Sequence, residues 1–130
     1  MKPELTYLVW VTILTALLWI PYVLDRIAVQ GLVDAVGYPE SPKPPAPWAR
    51  RMKAAHANAV ENLVVFATLV LVANAAGVSN GATAFAAALY FWARLVHVVA
   101  HTLAVPWVRT LAFFGGFAAQ AIIAWQIVAK

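Results

Sequence analysis

The chain contains no cysteine, which excludes disulfides, thiolate metal sites and cysteine nucleophiles together. Any thiol chemistry must use a thiol brought in by another molecule. Charge is scarce as well: Asp, Glu, Lys and Arg make up 11% of 130 residues, and only 5 of them are acidic. Hydrophobic residues reach 64% and the mean hydropathy is +0.79, more apolar surface than one domain of this length could hide from water. The solvent is therefore expected to be lipid. A net charge of +4 and a pI near 9.8 would suit a nucleic-acid binder, but Lys43, Arg50, Arg51 and Lys53 crowd into one connector between apolar segments. A cluster so placed reads as a topology signal, or as a contact with anionic headgroups or an acidic ligand, and argues against nucleic acid.

Four apolar segments are present, at about 5–29, 56–76, 83–105 and 107–128. Each approaches the ~20 residues a helix needs to cross a ~30 Å hydrocarbon core. Inside lipid every backbone amide must bond within its own segment, so these are predicted to be helices. The expected fold is all-α: one integral-membrane four-helix bundle over residues 1–130. The apolar stretch after Lys2 is too long for the core of a signal peptide, lacks a small-residue cleavage site, and reads as a retained span. Pro21 should kink or interrupt it, leaving Asp25 and Arg26 as anchors near the interface. The connector at 30–55 holds Gly31, Gly37, Pro39, Pro42, Pro44, Pro45 and Pro47 and cannot be helical throughout. The link Gly77–Gly81 is short and uncharged, so the second and third segments should be antiparallel neighbours, and Pro106 separates the third from the fourth. The basic connector, with Arg109 on the same side, is predicted to face the cytoplasm and both termini the opposite side.

The second segment opens with polar groups that lipid should exclude, Asn58 and Glu61 among them. A carboxylate there costs several kcal/mol, on the order of 3, unless it is paired, hydrated or close to the interface. At about 100° per residue, Arg51, Asn58 and Asn62 share a narrow arc with Glu61 beside it, while His56 points away toward a packing or capping bond. In the third segment, Arg94, His97 and His101 fall on one stripe. An arginine within an apolar helix faces the bundle interior and needs a partner. Two readings follow: an Arg94–Glu61 ion pair that ties helices together, or the same charges surrounding a polar ligand. A metal site on His97 and His101 has little support, because no cysteine and no H-E-x-x-H pattern accompanies them. Tyr90, Trp92, Trp107 and Trp125 read as interface or packing aromatics, and Gly115-Gly116 with the neighbouring alanines as close helix approach.

The stretch Arg51-x-x-x-x-His56-x-Asn58-x-x-Glu61-Asn62 resembles the signature of the MAPEG family, membrane-associated proteins in eicosanoid and glutathione metabolism. Arg94-x-x-His97-x-x-x-His101, followed by Pro106-x-x-Arg109-Thr110, is similar to a second family stretch, and the likeness covers nearly the whole chain. The resemblance implies a homotrimer of a bacterial type, in the inner membrane, with glutathione as co-substrate held between subunits. It implies that Arg51, Asn58, Glu61, Arg94, His97 and His101 surround the tripeptide. Arg109 would sit near the sulfur, where a fixed cation favours the thiolate, and Thr110 could donate a hydrogen bond to it. The implied activity is a glutathione-dependent transferase or peroxidase acting on lipophilic electrophiles supplied by the membrane. Ala54 and Ala57 stand where family enzymes carry basic residues, and Asn62 and His101 where tyrosines are usual. Those departures keep an alternative open: a non-catalytic trimeric scaffold or accessory subunit that has lost glutathione.

Overall fold

Pro21 has no N–H to offer the carbonyl of Leu17, and the first apolar segment breaks one turn before it. In a computed structural model of residues 1–130, α1 spans Pro3–Leu17 and α2 spans Trp19–Gln30. The joint is tightened by Leu18 N–H donating to Thr15 O at 3.4 Å. The two pieces still form one rod, 28 residues long and apolar enough to cross a bilayer. A short helix, α3 (Leu32–Val36), follows.

The next helix, α4, runs from Pro47 to Ala75. Its start lies well upstream of the apolar segment expected from His56. Proline at the first helical position is the reason: its fixed φ suits the helix, and its missing N–H is one that would go unpaired anyway. The end of the connector is thus helical, and only the stretch before Pro47 is irregular. Asp25 Oδ2 accepts from Ala46 N–H at 3.1 Å, which pins that stretch to α2.

Helices α5 (Gly81–Thr102) and α6 (Pro106–Val128) complete the bundle. Asn80 caps α5 in a capping box with Thr83, each side chain serving the other's backbone N–H, at 3.0 and 2.9 Å. Both α4 and α5 end in Schellman motifs. Val78 N–H donates to Ala73 O at 2.8 Å with Gly77 at φ 72°; Val105 N–H donates to Ala100 O at 2.9 Å with Ala104 at φ 61°.

Small residues set the helix spacing. Ala86, Ala87 and Ala119 are fully buried, and a Cβ added at Gly115 would meet Ala93 Cβ at 3.5 Å. This allows α5 and α6 to pack more extensively than any other pair. Tyr90 belongs to the core, not to an interface belt. It stacks on Phe66 with centroids 3.8 Å apart and planes 4° from parallel. Trp92, Trp107 and Trp125 are exposed, together with many outward Val, Leu and Phe side chains. Four helices long and apolar enough to span a membrane, with apolar outer faces, make this an integral multi-pass α-helical protein.

Candidate functional site

Arg94 lies at mid-depth on α5 and is 2% exposed. It packs against Gly116 on α6, where a Cβ would lie in ordinary contact, 3.5 Å from Arg94 Cδ. The guanidinium Nη2 donates to Asn58 Oδ1 at 2.7 Å, a charge-assisted bond that joins α5 to α4. Asn62 Nδ2 donates to Asn58 O at 2.9 Å and more weakly to Asn58 Oδ1 at 3.3 Å. Gln120 Nε2 of α6 donates to Asn62 O at 3.1 Å. A polar chain therefore crosses three helices through the apolar bundle, and Asn58 is its centre.

One and two turns beyond Arg94 stand His97 and His101, their rings 5.5 Å apart and nearly perpendicular at 81°. His97 is buried and His101 half-buried; the Nδ1 atom of each is shielded and has no hydrogen-bond partner. Asn58, His97 and His101 meet Arg109, Thr110 and Phe113 from the first turns of α6 around a cavity of about 270 Å³. Only Phe113 among these six is apolar. Pro106 makes the assembly possible, since it starts α6 directly after the α5 turn and delivers Arg109 and Thr110 beside His101.

Five residues singled out from the sequence thus converge, and Arg94 stands one bond behind them. The Arg94–Glu61 ion pair does not form. Arg94 Nη2 donates to Asn58 and its Nε has no partner, whereas Glu61 is on the exposed side of α4. The offset of about 60° between positions 58 and 61 is enough to turn one inward and the other outward. Arg51 also stands apart from the cavity. Its Nε donates to Thr102 O at 2.8 Å, a cation on the last carbonyls of α5. Thr110 lines the cavity while its hydroxyl donates to Pro106 O at 3.0 Å. His56 pairs by Nδ1 with the Tyr22 hydroxyl at 2.7 Å, the packing bond that its opposite placement suggests. Ala54 and Ala57 are exposed, and Arg50 and Lys53 stand one turn before them on the same face of α4.

Two contributors were not singled out from the sequence. Phe113 could have been found from its spacing of four from Arg109 on a helix starting at Pro106. Gln120 carries no such signal, because its partner is the backbone of another helix.

No curated protein and no solved structure matches this chain. The MAPEG family model matches residues 7–129, covering both polar stretches and all four spans. With an all-helical membrane bundle carrying those stretches on facing helices, the chain belongs to the MAPEG family.

Proposed function

We propose that this protein is a glutathione-dependent transferase or peroxidase acting on lipophilic electrophiles, and that it works as a homotrimer. The observation that carries the reading is the cavity at the connector end, where Asn58, His97, His101, Arg109 and Thr110 converge at the foot of an otherwise apolar bundle. Its donor set suits a thiol peptide. The polar side chains of Asn58, His97, His101 and Thr110 suit the carboxylates and amides of such a ligand, and Arg109 supplies a fixed positive charge for a thiolate. Lipid delivers the apolar substrate from the side, while the charged thiol arrives from the aqueous face at which the basic connector lies.

In the proposed reaction the thiol proton passes to solvent and Arg109 stabilises the sulfur anion. Sulfur then forms a bond to the electrophilic carbon as the leaving group departs. With a hydroperoxide, the thiolate sulfur attacks the terminal oxygen, the O–O bond breaks, and the alkoxide takes a proton from water and leaves as the alcohol. A second glutathione thiol then converts the sulfenic acid to the disulfide with loss of water. Asn58 and Arg94 hold the inner wall.

Support for the oligomer comes from Glu61. It sits on the outer face of α4 beside Val60, Val64 and Val65, all well exposed. A carboxylate among apolar side chains within lipid is costly, and a neighbouring subunit that covers this face removes the cost. Glu61 would then face the neighbour's cavity rim, where it could receive a peptide amino group, and Arg51 would hold the adjoining α5 end in place. We assign the basic connector to the cytoplasmic side on the charge asymmetry of the loops, and the protein to a bacterial inner membrane on its resemblance to bacterial members of the family.

Calorimetric titration of the purified protein with glutathione, paired with conjugation of 1-chloro-2,4-dinitrobenzene, tests the reading. Binding and turnover are expected, and Arg109→Ala should lower turnover by roughly tenfold or more. Absence of both heat and turnover at millimolar glutathione overturns it. A second reading, the non-catalytic scaffold, draws on one observation: the Asn58 carboxamide is already committed to Arg94. On that reading Glu61→Ala disrupts the trimer in native mass spectrometry while the intact protein ignores glutathione.

A further inference from the structure

A second, larger cavity of about 630 Å³ lies between the end of α2, the proline-rich connector and the first turns of α4. Four of its lining side chains are cationic: Arg26, Lys43, Arg50 and Lys53. None is acidic. The nearest carboxylate in sequence, Asp25, is turned onto Ala46 N–H, away from the groove. Pro42, Pro44 and Pro45 form one wall, and their fixed φ lowers the ordering cost when an anion is gripped. Cations drawn from three chain segments into one concavity repel each other, and an anion in the groove relieves that repulsion.

We propose that this groove binds the phosphate of an anionic phospholipid headgroup. The chemistry recognised is a phosphate oxyanion, and the neighbouring surface identifies its source. Leu32, Val33 and Val36 of α3 are 62%, 81% and 75% exposed, next to the α2 end that lines the groove. Dipping the short helix into the acyl region covers these side chains and sets the groove at headgroup level. Trp48, partly exposed at the start of α4, suits the same depth. Basic pockets between spans on the positive side of a membrane take phosphate headgroups by charge-assisted bonds. The groove shares no residue with the Asn58–His97–Arg109 cavity, so this inference is independent of the glutathione reading.

The test uses the full chain purified in detergent containing equimolar phosphatidylglycerol and phosphatidylcholine, with retained lipid counted by native mass spectrometry. Phosphatidylglycerol should be enriched, and Lys43→Gln with Arg50→Gln should cut the enrichment by roughly fivefold for each charge removed. Both positions are exposed, so folding is not at stake, and Lys2→Gln at the far end should change nothing. Equal enrichment in the double variant and the parent overturns the proposal. Millimolar inorganic phosphate and millimolar glutathione, added separately, should leave the lipid bound. Displacement by phosphate would assign the groove to a soluble anion, and displacement by glutathione would make it part of the thiol site; either result overturns the lipid assignment.

Discussion

At the end of the bundle that holds both termini, Glu4 is 5% exposed and its Oε1 accepts from Thr83 Oγ1 at 2.6 Å and Ser79 Oγ at 3.0 Å. The carboxylate rests against the first turn of α5, where the helix dipole favours it. Lys2 donates to Asn74 Oδ1 at 3.2 Å, and Lys130 donates to Ala76 O at the end of α4. The space beside Glu4 is about 10 Å³, too small to admit more than a single water. At the connector end the buried charge is Arg94, and beyond it lie two imidazoles with unpartnered nitrogens, a second arginine and a cavity of about 270 Å³. Both ends bury ionic groups in an apolar bundle. The closed end uses its charge to fasten α1 to α5, whereas the open end surrounds with polar side chains a space large enough for part of a ligand.

The helix ends follow the same division. Gly77, at the closed end, takes its left-handed conformation without penalty; Ala104, at the open end, adopts the same region with a Cβ that opposes it. Strain therefore lies in the turn that presents Arg109, next to the candidate site and not opposite it.

The comparison can be broken most forcefully at Arg94. Arg94→Ala removes a charge-assisted bond and opens a void beside Gly116, and should cost about 3–5 kcal/mol of stability in detergent unfolding. A loss under ~1 kcal/mol would mean that the crossing polar chain does not hold the open end together. Glu4→Ala removes the acceptor that Ser79 and Thr83 share and the tie between α1 and α5, and should cost about 1–2 kcal/mol while leaving glutathione titration unchanged. Glu4→Gln, which keeps an acceptor oxygen, should recover part of that loss. A change in glutathione affinity from either variant would show that the two ends are coupled. Asn80→Ala removes the α5 cap and should cost about 1 kcal/mol, again without touching ligand binding. Smallest is the exchange of turn residues. Ala104→Gly should raise the unfolding midpoint by up to about 1 kcal/mol equivalent, and Gly77→Ala should lower it by about the same. An unchanged or lowered midpoint for Ala104→Gly would remove the assignment of strain to the open end.

Much of this protein was legible in the order of its residues. Composition alone required lipid as solvent, because no packing could hide so large an apolar fraction in 130 residues. Periodicity put Arg94, His97 and His101 on one stripe, and the bundle does turn that stripe inward. The partner of Arg94 was not legible. Charge complementarity suggested Glu61, but which of two groups three residues apart faces α5 depends on how α4 is rotated, and neighbouring helices set that rotation. Glu4 gave no signal for a similar reason: its partners Ser79 and Thr83 are distant in the chain and meet it only once α1 packs on α5. Local sequence thus determined what each segment is, through hydrophobicity, proline and glycine, which act over a few residues. Only tertiary structure decided which polar groups are satisfied and which stay open to a ligand, since that depends on distances between helices that no single helix encodes.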